Sequence, residues 1–190
     1  MKLIVREVIA IILGLVRDEI KLVEPQIGWE PEFKKTQQAI HEVTGLDFNR
    51  IEHIGSTSIK GIKAKPMIDF ALGVDDIHHV TVELLKSLKT IQFYRLKVVL
   101  ENEVVLAKFL DNGKMDTKTH IIHLVEHEGQ KWKDLLSFRD QLNSSEALAK
   151  EYEALKLSYL LTGNGDMNDY TRYKENFVKR VVDRAKTTDS

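Results

Sequence analysis

A stretch of nine residues, 66–74, constrains this chain more than any other feature of its sequence. It is apolar apart from Asp69. Continuous apolar sequence of this kind predicts a central β-strand that is covered on both faces. An ionised carboxylate in such a strand is costly unless it meets a cation, a metal or several hydrogen-bond donors. Asp69 is therefore either one half of a buried ion pair, for instance with Lys63 or Lys65, or part of a functional site that holds a divalent ion against phosphate oxygens.

The periodicity of the remaining chain predicts further strands and five helices. Alternating or β-branched sequence indicates strands at about 49–54, 103–110 and 119–126, and Asn112-Gly113 favours a hairpin between the last two. Helical spacing of apolar residues predicts helices at about 30–46, from a cap at Asp75–Asp76 to 89, and at 131–142, 145–161 and 167–186. This order predicts an α+β fold, a mixed β-sheet flanked by helices with a C-terminal helical portion.

Length and composition limit the possible classes. A chain of 190 residues without a linker or repeat predicts a single domain, 1–190. The net charge of −1 provides no general field for a polyanion or a membrane surface, and the absence of cysteine excludes disulfides and thiolate chemistry. We expect a cytoplasmic protein.

The N-terminal apolar run, 8–16, superficially resembles the core of a signal peptide. Glu7 lies at its start, Arg17-Asp18-Glu19 follows it, and its nine residues are too few for a bilayer that needs about 20. We therefore expect a buried helix or an oligomer contact, and no membrane segment.

A loop of small residues, Gly55–Ser58, follows the strand at 49–54. Small residues let the backbone approach a ligand closely, successive amides form a concave anion site, and hydroxyls add donors. The loop therefore suits phosphate, although an ordinary turn has the same composition. His53, beside it, could contact phosphate or assist a proton transfer.

These residues belong to a longer pattern. The stretches 51–62 and 64–69, with Trp29, Thr119–His123, Phe138–Asp140, Tyr152, Lys156, Asp169-Tyr170, Lys174 and Phe177, resemble the signature of the GrpB-like family of the nucleotidyltransferase superfamily. The resemblance covers about 22–185, so that 1–21 is an extension, 22–130 a nucleotidyltransferase-like α/β core and 131–187 helices packed on that core.

The resemblance implies a site for a nucleoside triphosphate and Mg2+. It places the triphosphate at Gly55 and Ser56 and the metal at Asp69. We expect catalysis to use Asp69, Lys65 and His53, and phosphate binding to include Gly55, Ser56, Thr57 and Ser58 with the helical cations Arg139 and Lys174. On the helices, adjacent Asp140 and Glu175 are not expected to neutralise those cations; a surface helix pair is the alternative for both.

One position departs from the superfamily. Its active members carry a second carboxylate two residues after the first, where this chain has Ala71, and Asp75 is too far along the strand to replace it. Replacement ligands could come from Glu52, Glu103, His53, His120 or His123. His120 and His123 are three apart and face opposite sides of a regular strand, so that a joint site needs a bulge.

Three functions remain open. The first is binding of a nucleoside triphosphate with Mg2+ and transfer of its nucleotidyl group to an unknown small molecule, RNA or protein. The second is a noncatalytic module for a nucleotide or phosphorylated metabolite, which Ala71 favours. The third is a metal enzyme that uses the histidines.

Overall fold

The computed structural model of the protein describes residues 11–17, 19–162 and 167–188. Its β-strands are β1 (Leu15–Val16), β2 (Ile51–Ile54), β3 (Ile68–Val74), β4 (Phe93–Arg95), β5 (Val104–Phe109) and β6 (Thr117–Glu126). Its α-helices are α1 (Trp29–Thr44), α2 (Val82–Thr90), α3 (Gln130–Ser144), α4 (Glu146–Thr162) and α5 (Met167–Thr188).

The strands form one mixed sheet in the order β2-β3-β6-β5-β4, and β1 pairs with the start of β6. β3 and β6 are parallel, whereas β2 with β3, β5 with β6 and β4 with β5 are antiparallel. The sheet and the three consecutive C-terminal helices confirm the α+β prediction. The apolar stretch is the central strand expected, since β3 is hydrogen-bonded on both sides.

Side chains alternate along each strand, so the sheet has two distinct faces. On one face, Ile68, Phe70 and Leu72 of β3 belong to the main core with α1 and α2. On the other face, Ala71 packs against Trp132 of α3. A separate apolar cluster joins α3, α4 and α5 to the loop after β2. Asp69 lies on the face of Ala71, between the sheet and the C-terminal helices.

The N-terminal segment differs from its prediction. Residues 11–17 are not helical: Gly14 donates a hydrogen bond from its amide to the carbonyl of Pro66 (2.7 Å), and Leu15–Val16 join the sheet. A buried helix is therefore wrong for 11–16, because these residues satisfy their backbone by pairing with the sheet. Residues 1–10 and Asp18 lie outside the described chain.

Two local details also differ. β4 was not predicted, because three residues carry too little periodicity. Helix α2 begins later than expected: Thr81 caps it by accepting from the amide of Leu84 (3.2 Å), while Asp76 caps a preceding 3-10 turn. None of the helices in the described parts of the chain is long and apolar enough to cross a bilayer.

Candidate functional site

Asp69 lies deep in the molecule but keeps part of its side chain accessible. Burial raises the pKa of its carboxyl, and the interactions with His123, Lys174 and Lys65 only partly oppose that shift. Because strand neighbours alternate, its position in β3 directs it away from the main core and toward the C-terminal helices. It is a largely buried carboxylate on the face of the sheet that packs against the C-terminal helices.

Gly55 covers this carboxylate at the end of β2. Its φ of +70° with ψ of −172° is a conformation that only glycine adopts readily. A Cβ atom here would lie 2.9 Å from both Cβ and Cγ of Asp69. Glycine at 55 therefore serves two purposes, the turn itself and the close approach of the backbone to Asp69.

The hydroxyl groups of the loop are used inside the protein. Thr57 donates to the carbonyl of Met67 (3.1 Å) and Ser58 to that of Gly55 (2.7 Å), while Ser56 hydrogen-bonds the phenol of Tyr152. Through this bond Ser56 contacts Tyr152, whose phenol interacts electrostatically with Asp69. Thr57 instead is buried and holds the loop to the strand that follows.

Two lysines approach Asp69 from different parts of the chain. The ammonium groups of Lys65 and Lys174 lie 4.1 and 4.3 Å from the ring centre of Tyr170. Burial lowers the pKa of Lys65 to about 7, helped by repulsion from Lys174, and lowers the pKa of Lys174 to about 8 against the attraction of Asp69. The structure thus brings together Lys65, Asp69 and Lys174, three residues that the sequence assigned to one site.

Lys156 adds a third cation that the site prediction omitted. It is 1% exposed, donates to the carbonyl of Lys63 and lies 4.8 Å from the ring centre of Tyr152. Burial and repulsion from Lys174 lower its pKa to about 7. The signal was present in the sequence, since Lys156 falls on the same helical stripe as Tyr152 and Tyr159. We call Gly55, Ser56, Lys65, Asp69, Tyr152, Lys156, Tyr170 and Lys174 the Asp69 site.

His123 lies beside this site on the neighbouring strand. It is in register with Ala71 across the β3–β6 ladder, on the face that carries Asp69. Its Nδ1 lies 2.5 Å from Oε1 of Glu103, and Nζ of Lys131 lies 3.3 Å from the other oxygen. Burial would raise the pKa of Glu103, but His123 and Lys131 lower it, so the carboxylate is ionised and accepts the Nδ1 proton.

His53 and His120 lie on the opposite face of the sheet. His53 stacks on Phe33 of α1 at a ring-centre distance of 4.6 Å, and burial lowers its pKa to about 4 although Glu30 opposes this. His120 lies 3.4 Å from Glu32, and burial also lowers its pKa. The structure therefore separates both histidines from Asp69. The alternation that separates His120 from His123 is observed as predicted from their spacing.

Glu52 and Arg139 pair with each other. Arg139 donates to Oε2 of Glu52 (2.6 Å) and to the carbonyl of His53 (3.0 Å), and its Nε donates to Asp140 (2.7 Å). The expectation that Asp140 does not neutralise Arg139 is wrong, because the long guanidinium arm turns along the helix to reach its neighbour. Arg139 thus ties α3 to the end of β2.

The carboxylates present fit Mg2+ only in company with ligand phosphates. In proteins Mg2+ is held by one or two carboxylates plus substrate phosphates. Asp69 supplies one carboxylate. Ala71 is fully buried and has no side-chain atom that could ligate a metal, and Glu52 is paired with Arg139. Within the part of the chain that the structure describes, no three histidine or acidic side chains form a group that could hold a metal ion.

Known proteins resemble this chain over most of its length. A family model described as GrpB protein matches residues 19–184. The glutamate-rich protein GrpB of Alkalihalophilus pseudofirmus is 37% identical over 171 residues, which span 90% of this chain and 98% of that protein.

Two solved structures resemble the fold to different degrees. The crystal structure of the conserved protein GrpB from Enterococcus faecalis aligns with a TM-score of 0.72 and 28% identity, over 87% of this chain and 96% of that one. The Cid1 poly(U) polymerase with bound MgGTP aligns over 70% of this chain and 44% of its own with a TM-score of 0.44 and 10% identity. That second likeness is too slight to indicate function.

Proposed function

The chain belongs to the GrpB family, and from that premise we propose that its Asp69 site binds a nucleoside triphosphate together with Mg2+ and transfers the nucleotidyl group to an acceptor. The observation that carries the proposal is the pair of ammonium groups, Lys65 and Lys174, held over one ring of Tyr170 beside Asp69. The family resemblance of the Gly55 loop adds the expectation of a triphosphate.

Electrostatics favour an anionic ligand at this place. The lowered pKa values of Lys65 and Lys174 show that burial opposes their charge, and for Lys65 the charge of Lys174 adds to this. A polyphosphate would add negative charge to that of Asp69 and form charge-assisted hydrogen bonds with both ammonium groups. Lys156 is less available, because its ammonium group already donates to a backbone carbonyl.

The loop and the strand supply the remaining contacts. The Gly55 turn brings backbone close to the site and suits phosphate oxygens. The Ser56 hydroxyl would donate to a phosphate only by exchanging its hydrogen bond with Tyr152. Asp69 is the carboxylate that would hold Mg2+ on the nucleotide. The metal, when bound, would neutralise phosphate charge. The chain's own residues bind and orient the triphosphate.

Calorimetric titration of the full chain with ATP, GTP, CTP and UTP, with and without Mg2+, tests the binding. We expect Mg2+-dependent binding that Lys174→Met weakens at least tenfold. Lys34→Met is the matched control, since Lys34 is exposed on α1 and pairs with Glu30 on the other face of the sheet. If none of the four nucleotides binds to the wild-type chain, the proposal is overturned.

A noncatalytic binding module is the second candidate, and Ala71 favours it. Position 71 faces the same side as Asp69 but offers no oxygen, so a second protein ligand for a catalytic metal pair is missing there. An assay with nucleoside triphosphates labelled at the α-phosphate separates the two candidates, because it measures transfer of the labelled nucleotidyl group to RNA, protein or water. Transfer that disappears in Asp69→Asn would eliminate the noncatalytic module.

A further inference from the structure

We propose that His123, oriented by Glu103, accepts the proton of an acceptor hydroxyl during nucleotidyl transfer at the Asp69 site. This inference rests on the proposed function and adds to it the group that activates the acceptor. On this face of the sheet Ala71 offers no polar group and packs against Trp132. His123 is the polar side chain that β6 places next to that position.

The orientation of the imidazole is fixed by its partners. Glu103 is buried, with 5% of its side chain exposed, and both of its oxygens are occupied, one by His123 and one by Lys131. Because the carboxylate accepts from Nδ1, the neutral ring keeps its lone pair on Nε2. His123 itself is 27% exposed, so the ring is not sealed from solvent as Glu103 is.

This arrangement differs from that of the other buried histidines. The side chains of His53 and His120 are 8% and 3% exposed and contact Glu30 and Glu32 of α1 on the opposite face. Neither can meet a ligand that contacts Asp69. Only His123 among these three combines a carboxylate partner, partial exposure and the face of Asp69.

The proposed step balances as follows. The oxygen of the acceptor hydroxyl forms a bond to the α-phosphorus, and the bond from that phosphorus to the bridging oxygen of the β-phosphate breaks, releasing pyrophosphate. The hydroxyl proton passes to Nε2 of His123, and Glu103 stabilises the imidazolium that results. The exposed part of the ring then returns the proton to water. Glu103 acts as a positioning residue, since it acts only through His123.

Nitrogen-15 NMR of the full chain labelled at histidine tests this assignment. His123→Asn identifies the resonances of His123. The matched control is His79, whose Nδ1 also lies 2.5 Å from a carboxylate oxygen, that of Asp76, but whose side chain is 83% exposed. The probes are the Mg2+ complexes of the α,β-methylene analogues of the four nucleoside triphosphates, because their α–β bridge is not cleaved.

We expect His123 to carry its proton on Nδ1 near neutral pH, and its Nε2 resonance to shift by more than 2 ppm when an analogue saturates the site, while His79 does not respond. Glu103→Ala should lose the fixed tautomer and Glu103→Gln, which retains an acceptor oxygen, should recover part of it. An analogue that binds by calorimetry but leaves His123 unshifted overturns this inference alone. If no analogue and no natural nucleotide binds, the proposed function fails and the inference fails with it.

Discussion

Gly55 presses so closely on Asp69 that a methyl group at residue 55 would lie 2.9 Å from two carbon atoms of the aspartate. This contact joins the end of β2 to the strand beside it. The turn at the end of β2 and the carboxylate of Asp69 are therefore closely packed, with no room for a side chain at residue 55.

Gly55→Ala should destabilise the fold. The substitution adds a collision with Asp69 to the strain of a positive φ, so we expect a loss of roughly 2–4 kcal/mol in the free energy of unfolding. Gly61→Ala is the control, because Gly61 has a φ of +72° and no atom within 4 Å of an added Cβ. Urea unfolding at pH 7 measures both, and equal losses would show that the contact with Asp69 costs nothing.

Asp69→Asn should raise the stability of the ligand-free chain at pH 7. Because burial raises the pKa of Asp69 above its ordinary 3.8, the folded chain binds a proton more readily than the unfolded chain, and stability falls as pH rises through that window. Asparagine removes this cost. The difference in urea midpoint between Asp69→Asn and the wild-type chain should therefore be larger at pH 7 than at pH 4.

Asp75→Asn provides the comparison for that variant. Asp75 follows the same strand but is exposed and pairs with Arg50, so its replacement should cost at most about 1 kcal/mol. A less stable Asp69→Asn chain at pH 7 would mean that Asp69 is a stabilising ion-pair partner rather than a costly site residue.

Nucleotide binding at pH 8 should take up protons. The pKa values of Lys65 and Lys174, about 7 and 8, leave both partly neutral at that pH, and a bound polyphosphate favours their charged forms. We expect an uptake of about one proton or more, measured by calorimetry in buffers of different ionisation enthalpy, and weaker binding as pH rises from 7 to 9. Lys174→Met should reduce the uptake.

The same lysines also make the free energy of unfolding of the ligand-free chain depend on pH. Their folded pKa values lie below the ordinary 10.5, so the unfolded chain holds more protons between about 7 and 10.5. Their contribution to stability therefore rises with pH across that range. A binding reaction without proton uptake would place the phosphates away from both lysines.

Arg139→Met should affect stability more than ligand binding. It leaves the Glu52 carboxylate and the His53 carbonyl without their guanidinium partner, and we expect a loss of about 1–3 kcal/mol in the free energy of unfolding. Adding Glu52→Gln should recover part of it. The dissociation constant for a Mg2+–nucleotide should change less than threefold; a tenfold weakening would instead support the phosphate contact that the family resemblance implies.

The sequence predicted the central strand because burial on both faces leaves a strong local pattern. Residues 66–74 contain the whole of β3, and Asp69 stands out in them as the one charged residue. β1 left no such pattern, since its two residues are strand only through pairing with β6. Short elements whose stability is entirely tertiary are not visible in one sequence.

The candidate site was predictable only where it depends on local sequence. Strand alternation separates His120 from His123 correctly, but the register between β2 and β3 is needed to see that His53 points away from Asp69. Register depends on long-range packing. The pairing of Glu103 with His123 likewise joins the residue before β5 to β6, and Tyr170 contacts both Lys65 and Lys174, which are far apart in sequence.

That last separation has a consequence for biosynthesis. Asp69 is translated 105 residues before Lys174 of α5, and domains acquire structure as synthesis proceeds. A nascent chain can therefore contain Asp69 and Lys65 while it still lacks Lys174, the other lysine beside Asp69. If cellular nucleotide binds only when Lys174 is in place, it would stabilise the chain in which α5 has docked, and so favour completely folded molecules.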